Sequence, residues 1–168
     1  TTTVIIPASV LEGGINCIAV EIHNRSKGSS DISFNAQLNS NQDNVGILQN
    51  ELFTFGDRWR YYDAQAAPSS SWNTSTFNDS SWSSGEGQLG FGDGDETTVV
   101  DYGGDSSDKT VTYYFRREFT IADSSYLDSC TLSLIYDDGI IIYINGQEIK
   151  RVNMPSGNVD HSTFASST

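Results

Sequence analysis

The sequence predicts an all-β protein in which two sheets pack as a sandwich. Apolar and polar residues alternate with a period of two along most of the chain, as strands with one buried face require. The segments 110–121 and 130–149 combine this alternation with many β-branched and aromatic residues. No long segment has the spacing of an amphipathic helix. Many short strands joined by turns that contain Gly and Asp are typical of a β-sandwich.

Three strands are predicted near the N-terminus, within 1–11, 16–23 and 31–38. Pro7 indicates that the first of them frays or lies at a sheet edge, because proline cannot donate a hydrogen bond to a central ladder.

A polar connector is predicted at 39–51, where the sequence reads NSNQDNVGILQNE. Its apolar residues Val45, Ile47 and Leu48 indicate more than a spacer, and we expect them to pack against another surface. From 62 to 109 the chain is predicted to be loop-like, because Gly, Ser, Asp and Asn surround isolated Trp and Phe residues.

The last predicted strands lie within 130–149. Two apolar runs are joined there by Asp137-Asp138-Gly139, and the second run ends at Asn145-Gly146. Both sequences are strong turn signals, so this region is predicted to form a hairpin.

The charge of the chain excludes several partners. Its 168 residues carry 22 Asp and Glu against 9 Lys and Arg, a formal net charge of −13. A nucleic-acid or anionic-membrane surface needs clustered Lys and Arg, and the nearest approach to a patch is Arg58, Arg60, Arg116 and Arg117. No apolar run approaches the roughly 20 residues of a membrane span, so we expect neither nucleic-acid binding nor membrane insertion.

Three segments carry a family resemblance. They are 57–100 (DRWRYYDAQ to DETTVV), 113–121 (YYFRREFTI) and 136–157 (YDDGIIIYINGQEIKRVNMPSG). In this order they resemble the galactose-binding-domain-like jelly-roll modules of large secreted bacterial proteins. The resemblance implies a jelly-roll β-sandwich, an extracellular or cell-surface location and no catalytic activity.

The closing strands of such a module stand at the wrong end of this chain. In the family, three strand motifs follow the segments above, and here they are IIPAS (5–9), GINCIAVE (14–21) and SSDISF (29–34). The resemblance therefore implies that 1–38 supplies the closing strands, whereas 52–168 supplies the opening and central strands. The chain is out of phase with its own domain.

Three arrangements account for this shifted order. The chain can fold on itself as a circular permutant in which 39–51 joins the ordinary termini, since domain termini often lie close together. Residues 1–38 can instead complete the sandwich of a neighbouring copy, which builds a head-to-tail homopolymer. The third arrangement is a boundary that cuts across tandem domains. In the first two, we expect 1–38 to pair with strands of 110–149.

Two functions of different classes follow from these observations. The first is a non-catalytic extracellular structural module, a self-associating subunit or repeat of a filament or adhesive surface layer. The alternative is a carbohydrate-binding module that targets polysaccharide. We do not expect an enzyme, because His23 and His161 are the only histidines and no nucleophile–base set is evident.

A calcium site is the sharper interpretation of the acidic stretch 91–108. Ca²⁺ takes six to eight oxygen ligands, many of them from carboxylates. The alternative is that the Gly and Asp residues simply form turns. The candidate ligands are Asp93, Asp95, Asp101, Asp105 and Asp108.

Trp59, Trp72, Asp137 and Asp138 are the candidate sugar-binding residues. Aromatic rings can stack on sugar faces, and loop carboxylates can accept hydrogen bonds from hydroxyls. The alternatives are core packing for the Trp residues and turn formation for the Asp pair.

Two covalent modifications are also predicted. Cys17 and Cys130 each begin a strand-like run and are expected either to form a disulfide or to be buried thiols. Three sequons, which begin at Asn24, Asn73 and Asn78, are candidate glycosylation sites in a secreted protein.

Overall fold

The computed structural model describes residues 1–42, 50–125 and 127–166. This part forms two six-stranded sheets that pack as a sandwich, so the predicted all-β sandwich is confirmed. The strands in chain order are β1 (Thr2–Pro7), β2 (Gly14–His23), β3 (Ile32–Gln42), β4 (Asn50–Phe53), β5 (Arg58–Tyr62), β6 (Ser83–Glu86), β7 (Leu89–Phe91), β8 (Thr98–Val99), β9 (Thr112–Ile121), β10 (Leu127–Asp137), β11 (Gly139–Ile144) and β12 (Gln147–Val152). A single 3-10 turn, Ala8–Val10, is the only helical element in these residues.

Sheet A has the order β1-β10-β3-β7-β8, and β4 also pairs with β3. Sheet B has the order β12-β11-β2-β9-β5-β6. The strand pairs are antiparallel except for β7 and β8, which are parallel. No helix in the described ranges has the length and hydrophobicity needed to span a membrane.

The three N-terminal strands are integral to both sheets. β1 lies at the edge of sheet A against β10, in agreement with the edge position that Pro7 predicts. β3 lies beside β10 on one side and beside β4 and β7 on the other. β2 lies in sheet B between β11 and β9. Residues 1–38 therefore pair with strands of 110–149, as expected, and in this structure they do so within one chain.

The core between the sheets follows from the alternation of these strands. Ile18, Val20 and Ile22 of β2 point inward and are fully buried, as are Phe34 and Leu38 of β3. Because successive side chains of a strand face opposite sides, this periodicity places one apolar row from each strand in the core.

A second, smaller core lies on the outer face of sheet B. The segment 63–82 crosses this face, and its Trp72 and Trp82 pack against Cys17, Ala19 and Tyr114 of the sheet. Sheet B is thus covered on both faces in this region, which explains why the outward residues of β2 are also buried.

The loop-like region and the connector differ from their predictions. Short strands β6, β7 and β8 lie within 62–109, which was predicted to have no strands. β3 continues to residue 42 and β4 begins at residue 50, so both ends of the predicted 39–51 connector are strand. Its three apolar residues Val45, Ile47 and Leu48 lie outside the described residues.

Candidate functional site

Carboxylates gather at one end of sheet A, around the connection between β10 and β11. Asp137 is the register partner of Ser33 on β3, and Ser33 is the partner of Gly90 on β7. The Ser33 hydroxyl donates a hydrogen bond of 3.1 Å to Oδ2 of Asp93. Strand register therefore brings together Asp93 and Asp137, which are 44 positions apart in the sequence.

The electrostatics of this end follow from burial and crowded negative charge. Burial, followed by repulsion from Asp138 and Asp31, raises the pKa of Asp137 to about 6. The Asp138 carboxylate is held differently, because it accepts hydrogen bonds from the Arg25 amide at 2.8 Å and the Ser29 hydroxyl at 3.3 Å. Through these hydrogen bonds, Asp138 stabilises the adjacent loop.

Asp93, Asp95 and Glu96 form the one carboxylate cluster of metal-binding geometry among the described residues, with ligand atoms within 4.8 Å of one another. Glu96 accepts hydrogen bonds from the amides of Asp93 and Gly94 at 2.8 and 3.0 Å. Backbone hydrogen bonds, first from its own amide, lower the pKa of Glu96 and keep it ionised. Three carboxylates in this arrangement could contribute oxygen ligands to a Ca²⁺ ion.

The other three predicted calcium ligands do not join this cluster. Asp101 accepts a hydrogen bond of 2.7 Å from the amide of Gly103. Asp105 accepts one of 2.8 Å from the amide of Ser107. Asp108 forms an exposed ion pair of 2.5 Å with Lys27. Asp101 and Asp105 thus have the turn-forming role that was the alternative. Glu96 was not among the predicted ligands.

The tryptophans are packed rather than presented to solvent. Trp59 is 1% exposed and lies in the main core, edge-on to Phe34 at a centroid distance of 4.8 Å. Trp72 is 8% exposed and packs edge-on against Tyr114 at 4.8 Å and Tyr143 at 5.6 Å. Neither indole has a free face for stacking on a sugar in this arrangement.

The two cysteines are free, buried thiols in different cores, which is the alternative to the disulfide between them. Cys17 lies on the outer face of sheet B, whereas Cys130 lies in the core between the sheets. Burial raises the pKa of each thiol to about 11, which makes both poor nucleophiles at neutral pH.

The sequons occupy unequal environments. Asn24 is fully buried, and its Nδ2 donates a hydrogen bond of 2.8 Å to the carbonyl oxygen of Thr110, which leaves no room for a glycan in the folded chain. Asn73 and Asn78 are partly exposed on the covering segment of sheet B, where a glycan can be accommodated.

A buried polar network that the sequence did not predict holds the end of the chain against sheet B. The His23 ring contacts the carbonyl oxygen of Thr163 through Nδ1 at 2.7 Å and lies 3.5 Å from a carboxylate oxygen of Glu21. Thr112 donates a hydrogen bond of 2.7 Å to the carbonyl oxygen of His161. The ring of His23 is fully buried, so this network stabilises the fold and offers no access to a substrate.

Comparison with known proteins returned no match: no family model, no curated protein and no solved structure is similar to this chain at a significant level. The observations that bear on function are therefore the sequence motifs and the two-sheet architecture, which is compatible with them.

Proposed function

We propose that this chain is a non-catalytic extracellular structural module with a jelly-roll fold of the galactose-binding type, and that it self-associates head to tail by strand complementation. One observation carries this proposal. Strands β1, β2 and β3 find most of their pairing partners on strands β9, β10 and β11, and the chain leads from the first set to the second only through the residues that follow β3. A neighbouring copy offers the same partners.

The energetics make these strands indispensable. Five side chains of β2 and β3, namely Ile18, Val20, Ile22, Phe34 and Leu38, are completely buried. Each buried apolar side chain contributes about 1.5–3 kcal/mol. Their sum rivals the whole stability of a typical domain, about 5–15 kcal/mol. Every sandwich must therefore obtain these strands from its own chain or from a neighbour.

Two sources can supply these strands. Closure within one chain has the advantage of a high effective concentration through the covalent connection. Donation to a neighbour would form the same strand pairs between copies, and it would be repeated at each copy. Because such a contact is heterologous, it need not close and builds a filament or surface layer.

The buried state of the candidate nucleophiles supports a non-catalytic role. Both thiols are inaccessible and have raised pKa values. His23 is buried in the network described above, and the His161 ring stacks on Tyr114 with a centroid distance of 5.9 Å. The two thiols and the His23 ring are therefore not presented to solvent as a nucleophile or base, whereas the His161 ring is partly exposed and its Nδ1 lies 3.2 Å from the Tyr114 hydroxyl.

Light scattering after size-exclusion chromatography, combined with negative-stain electron microscopy, tests the proposal. The full chain should form polymers whose mass rises with concentration, and fibres or sheets should be visible. A monomer of 18.4 kDa that persists at high concentration contradicts strand exchange. It leaves a sandwich closed within one chain, for which the alternative function in polysaccharide binding needs a surface other than Trp59 and Trp72.

A further inference from the structure

An arginine-lined groove lies on sheet B beside β5 and β9. Its volume is about 460 Å³, within the range of small-molecule sites. Four arginines line it, two from each strand, and they are joined by two carboxylates and a hydroxyl. The residues are Arg58, Arg60, Arg116, Arg117, Asp79 and Glu118, with Ser84 at the margin.

The concentration of positive charge is unusual for this chain. Four of its nine Lys and Arg residues line a single groove, although the net charge is −13. The surrounding surface repels anions in general. A ligand that binds here must therefore be recognised by short-range contacts with the groove.

Two of the arginines are committed to the fold. Arg116 is fully buried and donates hydrogen bonds to Asp79 and to the carbonyl oxygens of Trp72 and Thr74. Arg117 donates a hydrogen bond of 2.9 Å to Asp57. These bonds hold the groove in shape and use most of the two guanidinium groups.

Arg58 and Arg60 remain available to a ligand. Their side chains are 62% and 43% exposed, and they project from the face of β5 opposite to the buried Trp59. Residues two apart on a strand lie about 7 Å from each other on one face. Arg58 makes contacts of 3.2–3.4 Å with Glu86 and Ser84. Among the described residues, Arg60 makes one hydrogen bond, of 3.3 Å, to the Trp82 carbonyl oxygen, and its Nε lies 3.8 Å from a carboxylate oxygen of Asp79.

We propose that this groove binds a carboxylate-bearing sugar, a uronic acid unit of an acidic polysaccharide. A guanidinium group binds a planar carboxylate through two parallel hydrogen bonds, and Arg58 and Arg60 present two such groups. The groove also contains acceptors, because Glu118 is exposed and the Asp79 carboxylate is 23% exposed. A sugar acid matches both features, since its carboxylate meets the arginines and its hydroxyls donate to the carboxylates.

The mixed lining disfavours other anions. A nucleic acid or polyphosphate carries charge along its whole length and would place some of it against Glu118 and Asp79. A neutral sugar offers the two guanidinium groups no carboxylate in addition to their present partners Glu86 and Asp79. This binding site does not depend on strand exchange, because both β5 and β9 belong to the same part of the chain.

Isothermal titration calorimetry of the full chain with a galacturonic acid trimer tests the proposal. The acidic trimer should bind at least tenfold more tightly than a neutral galactose trimer. Equal affinity for the two trimers, no detectable binding of the acidic one, or tighter binding of a single-stranded oligonucleotide overturns it.

Variants identify the residues. The double variant Arg58→Gln and Arg60→Gln should weaken binding of the acidic trimer at least tenfold. Lys150→Gln is the matched control, because it removes one positive charge from an exposed position on β12 and should leave affinity unchanged. If the double variant binds the acidic trimer as tightly as the wild-type chain does, Arg58 and Arg60 are not the residues that bind it.

Amide chemical shifts keep the proposal testable if the double variant unfolds. In the wild-type chain, the acidic trimer should shift the resonances of β5, Ser84 and Glu118 and leave β12 unperturbed. Shifts confined to any other surface contradict the groove as the site. The mass of the chain in the same sample reports self-association separately, so failure of one proposal is distinguishable from failure of the other.

Discussion

Arg116 of β9 and Asp79 of the 63–82 segment form a buried ion pair in which Nε donates to Oδ2 at 3.0 Å. The Arg116 side chain is 0% exposed, and Nη1 also donates to the carbonyl oxygens of Trp72 and Thr74. One guanidinium group thus satisfies several acceptors of a segment that contains no strand. It fixes this segment against the outer face of sheet B and shapes the floor of the arginine groove.

Replacement of this arginine should destabilise the fold severely. Arg116→Met leaves Asp79 without its buried partner and removes a donor from the carbonyl oxygens of Trp72, Thr74 and Phe77. Loss of one partner of a buried pair costs about 3–5 kcal/mol. Urea unfolding followed by tryptophan fluorescence measures the change. Arg58→Met is the control, because its pair with Glu86 is exposed and should contribute only about 0–1 kcal/mol. Similar losses in the two variants contradict the anchoring role of Arg116.

Trp72 should behave as a core residue. Trp72→Ala removes the ring that packs on Tyr114 and Tyr143 and should cost about 3–5 kcal/mol of unfolding free energy. The matched control is Phe164→Ala, an aromatic residue that is 38% exposed and should cost less than about 1 kcal/mol. If urea unfolding shows that Trp72→Ala keeps full stability, the core role of Trp72 is contradicted and a ligand-binding role is the alternative.

Calcium should raise the thermal midpoint through the Asp93, Asp95 and Glu96 cluster. A ligand present at 100 times its Kd stabilises the folded state by about 2.7 kcal/mol. Calorimetry of the chelator-treated chain, with and without added Ca²⁺, measures this shift. The variant Asp95→Asn should abolish it, whereas Asp105→Asn should retain it, since the Asp105 carboxylate is engaged by its own turn. An unchanged midpoint in the wild-type chain contradicts a calcium site.

The raised pKa of Asp137 predicts a loss of stability with rising pH. Burial, followed by the charge of Asp138, raises the pKa of Asp137 to about 6, against about 3.9 in the unfolded chain. Between these values the folded chain binds more protons than the unfolded one, so stability falls as pH rises through this window. Asp137→Asn should therefore raise the free energy of unfolding by about 1 kcal/mol at pH 7, a figure discounted for solvent screening, and should leave it unchanged near pH 4.

Urea unfolding at both pH values in the presence of a chelator measures this difference. Asp123→Asn is the control of opposite sign, because hydrogen bonds from Ser125, first from its amide, lower the pKa of Asp123. That substitution should produce no gain at pH 7. A destabilised Asp137→Asn variant at pH 7 shows that the carboxylate makes a favourable contact that outweighs its repulsion.

The C-terminal hairpin was predictable because its turn chemistry is local. Asn145 and Gly146 both adopt positive φ, at +50° and +88°, as the two-residue turn between β11 and β12 requires. The Asp137-Asp138-Gly139 sequence marks the boundary between β10 and β11, but the hairpin predicted at this turn is wrong, because β10 lies in sheet A and β11 lies in sheet B. Such signals act over a few residues and need no knowledge of the rest of the fold.

The short strands and the covered face of sheet B were not predictable in this way. β7 has three residues, and Gly90 at its centre interrupts any alternation; this glycine packs so closely on the Ile32 carbonyl that a side chain would collide with it. Period-two alternation likewise shows that Arg116 faces away from the core. It does not show that the 63–82 segment buries it, because that segment has no period of its own.

The membership of the carboxylate cluster was also not predictable from sequence spacing. The density of Asp residues between 91 and 108 indicated a cation site, but density does not show which side chains converge. Asp101 and Asp105 point into their own turns, whereas Glu96 turns back toward Asp93. The ligand set depends on the three-dimensional course of a loop, which spacing alone does not determine.

Cysteine cross-links across β1 and β10 should reveal whether strands are exchanged. Thr3 of β1 and Ser133 of β10 are register partners on the outer face of sheet A. Side chains of directly opposite residues are about 4.5–5.5 Å apart at Cβ, close enough for a disulfide after small adjustment. The native thiols do not compete, because both are buried with pKa values raised to about 11.

The single variants Thr3→Cys and Ser133→Cys should be unfolded together, refolded as a mixture and oxidised. If β1 of one copy pairs with β10 of another, non-reducing electrophoresis should show a covalent dimer that contains both variants, and the double variant should form a ladder of linked chains. Ile15→Cys replaces Thr3→Cys in the control mixture, since Ile15 is exposed on β2 and has no register partner on β10. A double variant that forms only an internal bond, together with a mixture that yields no dimer, means that each chain closes its own sandwich.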